Sequence, residues 1–289
     1  MTSLTTPSAT VSPADVRFFQ DNGFLHLKSV ISPMELAALR AYEEKVSAAA
    51  QADLIPCSKY RYATDPVTGQ RVLYRINSAE TFGGAFLNLY GSPINFRIAE
   101  AIFGPDFLPF GAAMVVKRPG YGPSIPWHRD PSGWKIMPGI NVGVYLDDAT
   151  PENGMLYVVP GSHQATTLDV QQLVEEHGFH IPGSIPVPAK AGDIVAHNEH
   201  VLHGSRVVRA HGARRVIYCN FHSIEEQLSR GGTYTPSWAR FFVRAGLHAL
   251  RTRAASEVGR GETPYEWNLS PGYRVTLGAH DYVEMTLEG

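Results

Sequence analysis

The feature that most constrains this chain is the punctuation of its middle. From Phe107 onward, short apolar runs alternate with turn clusters. The runs are Phe110 to Val116, Ile140 to Leu146, Met155 to Val159, Asp193 to Ala196 and Val216 to Phe221. The breakers between them include Pro119-Gly120, Pro151-Glu152-Asn153-Gly154 and Pro160-Gly161-Ser162. Many short strands separated by regular turns predict a sandwich or a barrel. The expected class is therefore mainly β with flanking helices.

The flanks read differently. Ser12-Pro13-Ala14-Asp15 is a helix start, with Ser12 as N-cap and Pro13 in the first turn, and Asn22-Gly23 ends that helix. Phe24 to Leu27 reads as a strand. Ser32-Pro33-Met34-Glu35 has capping-box spacing and opens a helix to about Ala50. Tyr60 to Ala63 and Arg71 to Ile76 read as a hairpin around Asp65-Pro66-Val67-Thr68-Gly69. Ile94 to Ile102 reads as an amphipathic helix closed by Gly104-Pro105. A helix near Asp169 to Glu176 stops at Gly178. Another follows Thr235-Pro236 to about Val258, with Trp238, Phe241, Phe242 and Ala245 on the face turned to the sheet. The expected organisation is one domain over 1–289: an arm over 1–11, helices and hairpin over 12–106, the β core over 107–222, and a helix and tail over 223–289.

Composition narrows the function. The 289 residues include 25 basic and 27 acidic side chains, a net charge of −2. That balance argues against a general nucleic-acid or membrane-surface binder. Two cysteines, Cys57 and Cys219, exclude a disulfide framework and a cysteine-rich zinc site. The first residues lack the basic and apolar regions of a secretory signal, and no run of about 18 apolar residues exists to span a bilayer. The expectation is a cytoplasmic protein.

Twelve histidines invite a metal argument. A His-x-Asp/Glu triplet should occur by chance about once in this composition. Two occur, His128-Arg129-Asp130 and His197-Asn198-Glu199, so spacing alone decides nothing. Context favours the first, which follows a segment rich in glycine and proline. In extended chain, residues i and i+2 point to one side, so His128 and Asp130 reach one ion. A third ligand must come from a distant strand, and candidates lie between His197 and Ser205. Two imidazoles and one carboxylate on one face of an ion suit non-haem Fe(II) enzymes, which need open metal positions.

Several blocks then occur in order: Trp127-His128-Arg129-Asp130, Leu146-Asp147-Asp148 through Asn153-Gly154, and Pro160-Gly161-Ser162-His163. Ala191-Gly192-Asp193-Ile194-Val195, His203-Gly204-Ser205 and Gly212-Ala213-Arg214-Arg215-Val216-Ile217 follow. In these blocks and their spacing, the chain resembles the phytanoyl-CoA dioxygenase family. The resemblance implies a double-stranded β-helix, or jelly-roll, core of cupin-like type. It implies Fe(II) held by His128, Asp130 and His203, with 2-oxoglutarate as cosubstrate and O2 as oxidant. It places Arg214, eleven residues after His203, on the far carboxylate of 2-oxoglutarate. An arginine suits that task because its planar fork pairs bidentately and stays charged when buried. Arg215 should point to the opposite side of the strand. Ser205 and Arg75 match further cosubstrate positions.

His197 alternates onto the same face as His203 and competes as third ligand. The Gly-Ser after His203 and the spacing to Arg214 favour His203. Where relatives commonly carry a tryptophan, this chain has Gly143, and a glycine there is expected to enlarge the cavity. Asn141, Gly143 and Tyr145 alternate onto one face, expected to be the pocket face. Trp134, Tyr74 and His222 complete the expected substrate pocket, and the Tyr60 to Ile76 hairpin is a candidate lid. The retained carboxylate of Asp130 favours oxygenation over halogenation.

The implied activity is hydroxylation of an unactivated C–H bond of a small molecule, with a secondary-metabolite intermediate as the expected substrate, and release of succinate and CO2. Two other readings compete: a cupin-like metal isomerase or hydrolase without 2-oxoglutarate, and a non-catalytic jelly-roll binding protein. No nucleic acid or membrane partner is expected. The exposed face of the helix over 236–258 offers a surface for a homodimer.

Overall fold

The computed structural model describes residues 10–53, 58–64, 68–118, 124–130, 139–165, 167–208 and 212–278. Most of the expected arm, Cys57, the centre of the hairpin loop, the Pro119-Gly120 turn and Trp134 lie outside the described residues. Among those described, no helix is long and apolar enough to cross a membrane.

The chain enters through α1 (Pro13–Asn22), which the Ser12–Asp15 capping box starts and Gly23, in the left-handed region at φ 79°, stops. β1 (Phe24–Leu27) and α2 (Pro33–Asp53) follow. β2 (Tyr60–Thr64) and β3 (Arg71–Asn77) form the expected hairpin. Next come a 3₁₀ turn at Ala79–Phe82, α3 (Gly84–Tyr90) and α4 (Pro93–Phe103). The β region then runs β4 (Phe107–Lys117), β5 (Ile125–His128), β6 (Ile140–Tyr145) and β7 (Leu156–Val159). After α5 (Val170–His177) come β8 (Ile185–Val187), β9 (Ile194–Asn198), β10 (Leu202–Ser205) and β11 (Arg214–Ser223). α6 (Ile224–Ser229) and α7 (Pro236–Ala255) end the regular structure.

The strands form two antiparallel sheets. The larger has the order β1-β9-β6-β11-β4-β3-β2, and the smaller β5-β10-β7-β8. This is the expected jelly roll. Its central strands β6 and β9 are buried along their whole length, and each is apolar except where Asn141, His197 and Asn198 interrupt it. The main core lies between the larger sheet and helices α2, α3 and α4, around Leu39, Phe86, Phe96 and Phe221. Between the sheets lie a second apolar cluster, around Tyr145, Leu156, Val158 and Val216, and the polar side chains of a cavity. The hairpin continues the larger sheet, because β3 pairs with β4.

α7 ends at Ala255, three residues short of the expected Val258. Ser256 leaves the helical region, and its hydroxyl donates to the Arg253 carbonyl at 2.7 Å. Arg253 itself is buried and binds Glu35 and Glu262, so the chain must turn there to bring Glu262 back. The helix also contacts α3 and β4, as a helix packed on the sheet should.

Candidate metal centre and cavity

The cluster is assembled by strand pairing in the smaller sheet. β5 and β10 are antiparallel, and His128 sits directly opposite His203. Their rings lie 4.2 Å apart between centroids. Asp130 follows just past the end of β5, held by its own N–H donating to the Glu199 carbonyl at 2.8 Å. The ligand-type atoms of His128, Asp130 and His203 all lie within 4.8 Å of one another. No other group of three or more such residues meets that test among the described residues.

The donor chemistry fits a metal. Nδ1 of His128 lies 2.8 Å from the Pro126 carbonyl, and Nδ1 of His203 lies 2.9 Å from that of Val201. A carbonyl only accepts, so each Nδ1 carries the hydrogen and each Nε2 keeps a free lone pair. Both Nε2 atoms face Asp130, at 3.5 Å and 4.0 Å. Asn141 donates to Asp130 Oδ2 at 2.7 Å and fixes the carboxylate plane.

The electrostatics agree. Burial, then the neighbouring His128, pushes His203 down to about 4, so its imidazole is neutral near pH 7. Burial opposes charge on His128 as well, but Asp130 and the Pro126 carbonyl outweigh it and raise that group. Burial disfavours the Asp130 anion, yet the three surrounding histidines hold it well below the ordinary carboxylate range.

His197 does not join the cluster. It lines the same cavity beside the cluster, buried, with its ring 4.6 Å from that of His203 and Nε2 3.1 Å from the Asn141 amide. Burial pushes it down to about 3. It thus supports the residue that orients Asp130.

A cavity of about 540 Å³ opens from this cluster between the two sheets, within the usual range for a small-molecule site. Arg214 stands in its wall at the start of β11, 1% exposed, with Nε and Nη1 lacking hydrogen-bond partners among the described residues. Beside it, Lys117 of β4 is equally buried, and its Nζ donates to Ser205 Oγ at 2.6 Å and to the Arg206 carbonyl at 2.8 Å. Burial, then Arg214, pushes Lys117 down to about 6. The chain can reach this corner only because residue 154 is glycine. A Cβ there would stand 2.6 Å from the Arg206 carbonyl oxygen. An end built from arginine, lysine and serine suits an anion.

The other expected site residues divide. Arg75, Asn141, Ser205 and His222 line the cavity. Arg75 does so from an exposed position, with Nε on Asn77 Oδ1 at 2.8 Å. Tyr74 and Tyr145 are not among the lining residues. Tyr74 is the neighbour of Arg75 in an extended strand, so the two point apart. Tyr145 is fully buried, packed with Val216 and Tyr218. Nor does Gly143 enlarge the cavity. It pairs across the sheet with Tyr218, whose ring would meet a Cβ on Gly143 at 2.8 Å. The space freed on one strand is filled from the next.

Phe110, Lys117, Tyr218, Asn220, Gln227, Arg230 and Tyr234 escaped the sequence reading, and Glu199 entered it only within the third-ligand segment. Alternation along β11 gave the one available signal, since it puts Tyr218 and Asn220 on the face of Arg214.

Fold and cluster together define a class: jelly-roll proteins presenting two imidazoles and one carboxylate to an enclosed cavity. Within that class, the profile of the phytanoyl-CoA dioxygenase (PhyH) family matches residues 19–216. The chain belongs to that family and is an enzyme, a dioxygenase. It is similar to dioxygenase lolE1 of Epichloe uncinata, 24% identical over 226 residues, 77% of this chain and 87% of that one. Among solved structures, it is similar to AviO1 from Streptomyces viridochromogenes Tue57, with 28% identity and a TM-score of 0.62 over 74% of this chain and 96% of that one. EctD from S. alaskensis, solved with 2-oxoglutarate and 5-hydroxyectoine, shares the fold at 20% identity, with a TM-score of 0.63 over 77% of this chain and 80% of that one.

Proposed function

We propose that this dioxygenase is non-haem Fe(II)- and 2-oxoglutarate-dependent, and that it hydroxylates an unactivated C–H bond of a small molecule. In that reaction 2-oxoglutarate, O2 and R–H become succinate, CO2 and R–OH. The carrying observation is one cavity that joins the His128, Asp130 and His203 cluster to a buried Arg214 whose Nε and Nη1 lack partners. EctD, a fold relative, was solved with 2-oxoglutarate. The dioxygenase name of lolE1 points the same way.

Ferrous iron, when bound, supplies the O2 chemistry. The chain supplies the rest. His128 and His203 offer their Nε2 lone pairs, kept in that tautomer by backbone carbonyls. Asp130 offers a carboxylate whose plane Asn141 fixes. Arg214 takes the far carboxylate of 2-oxoglutarate. Lys117 holds Ser205 Oγ as an acceptor, which turns the serine's own hydrogen outward toward that carboxylate. Arg75 stands at the exposed edge. The buried walls exclude bulk water and strengthen each of these interactions. A role in secondary metabolism is part of this proposal.

Anaerobic equilibrium dialysis with Fe(II) tests the ligand set. Wild type should hold one iron per chain, His203→Ala and His128→Ala should lose at least roughly tenfold in affinity, and His197→Gln should still fill. Retention by His203→Ala with loss by His197→Gln would move the third-ligand role to His197.

A further inference from the structure

The cavity continues past the cluster, away from Arg214, to a second polar end that cosubstrate binding leaves unused. Arg214, Tyr218, Asn220 and His222 alternate along β11 and all line the cavity. At about 3.3 Å per residue, Arg214 and His222 stand roughly 26 Å apart. The cluster lies between them, because Asn220 pairs with Asn141, which in turn holds Asp130. The His222 end is walled by Phe110, Glu199, Gln227, Arg230 and Tyr234.

Gln227 is the telling residue. It sits on α6, 1% exposed, yet both Nε2 and Oε1 lack a hydrogen-bond partner among the described residues. A buried primary amide with neither its donor nor its acceptor used is costly and rare. Its neighbours in the wall are engaged. Glu199 Oε2 accepts from the Gly139 N–H at 3.1 Å, and Glu199 Oε1 lies 3.5 Å from His222 Nε2. Arg230 stacks over the Tyr234 ring at 4.8 Å. Phe110 stacks on Phe242 at 5.0 Å and meets the His222 ring at a steep angle, with centroids 4.7 Å apart. The end therefore combines aromatic surface with an amide, a carboxylate and an imidazole. A hydrocarbon chain seated here would leave the amide unpaired, whereas a group that both donates and accepts satisfies it.

We infer that this end recognises the substrate and that Gln227 is a specificity-determining residue, reading a hydroxyl or amide group of a hydrophilic small molecule. That the molecule bound here is the substrate rests on the dioxygenase reading. The binding site itself does not, and the test keeps the two apart.

The first measurement is thermal unfolding of the full, metal-free chain. Gln227→Met keeps the volume and removes two unpaired polar atoms, so its Tm should rise, by roughly 2 °C or more. A structural hydrogen-bonding role for Gln227 would make Tm fall, and that result overturns the proposal. The second is ligand-observed NMR on the same chain. One probe set contains N-acetylglucosamine, myo-inositol and nicotinamide, and the other hexanol, octanol and octanoate. Members of the first set should bind, and should bind at least tenfold more weakly to Gln227→Met. Binding confined to the second set, binding by neither set, or unchanged binding by the variant overturns the proposal. Fe(II) and 2-oxoglutarate binding are measured separately on wild type and variant. Their absence would defeat the dioxygenase reading while leaving the probe result intact.

Discussion

Arg214 and Arg215 are adjacent on one strand and do opposite things. Arg215 faces outward from the cavity and is saturated. Its Nε and Nη2 bind Asp147 at 2.8 Å and 2.9 Å, and its Nη1 binds Glu43 at 2.9 Å. Those bonds, Asp147 first, hold its charge more firmly than an ordinary arginine's. Arg214, even more buried, keeps Nε and Nη1 without partners and faces the cavity. Burial and residue type are shared, so neither separates a structural from a functional cation. Partner saturation does. A buried charge whose hydrogen bonds are complete serves the fold, and one whose bonds are incomplete waits for a ligand.

The largest expected effect is on the saturated side. Arg215→Met leaves the fully buried Glu43 with Arg118 alone and takes both close bonds from Asp147, and should cost about 3 kcal/mol of stability. Arg214→Met strands no carboxylate and should change ligand-free stability by less than about 1 kcal/mol. Urea unfolding of both variants checks this, and equal losses would break the comparison.

A buried carboxylate sharpens it. Glu43 has two arginines at 2.9 Å, Arg118 and Arg215. Glu80 instead accepts from the Ala112 N–H at 2.7 Å, and burial pushes it from 4.5 up to about 7. A carboxyl raised on folding contributes its stability in full below its unfolded value and loses it as pH rises through the folded value. Stability should therefore fall between about pH 4.5 and 7, by up to about 3 kcal/mol. Glu80→Gln should match wild type near pH 4.5 and exceed it at pH 8. Parallel curves of Tm against pH for the two proteins would show that Glu80 stays paired and ionised.

Most strands were legible because Gly and Pro punctuation marks where each one ends, but the short β5, β8 and β10 were not among the runs read as strands; the caps of α1 and α5 are local chemistry. The helix α3 was not. It starts at Gly83-Gly84, both at positive φ, which reads as a loop, and its buried Phe86, Leu89 and Tyr90 are helical only because α2 and α7 cover them. The pair His128 and Asp130 was legible from i, i+2 geometry. The third member needed the family resemblance, because the pairing of β5 with β10 that sets His203 opposite His128 is long-range. Gly143 misled for a related reason: its meaning depends on Tyr218 one strand away. Gln227 and Lys117 were illegible in principle, since their significance lies in which partners they have or lack.

The most direct test of the central claim is anaerobic visible absorption of the ferrous protein titrated with 2-oxoglutarate, for wild type and Arg214→Met. A weak charge-transfer band should appear in wild type only when iron and 2-oxoglutarate are both present. The variant should need roughly 30-fold more 2-oxoglutarate or higher to reach the same band, about 2 kcal/mol of lost pairing. Iron binding with no band, or equal affinity in the two proteins, would contradict the assignment of Arg214 and the cavity it serves.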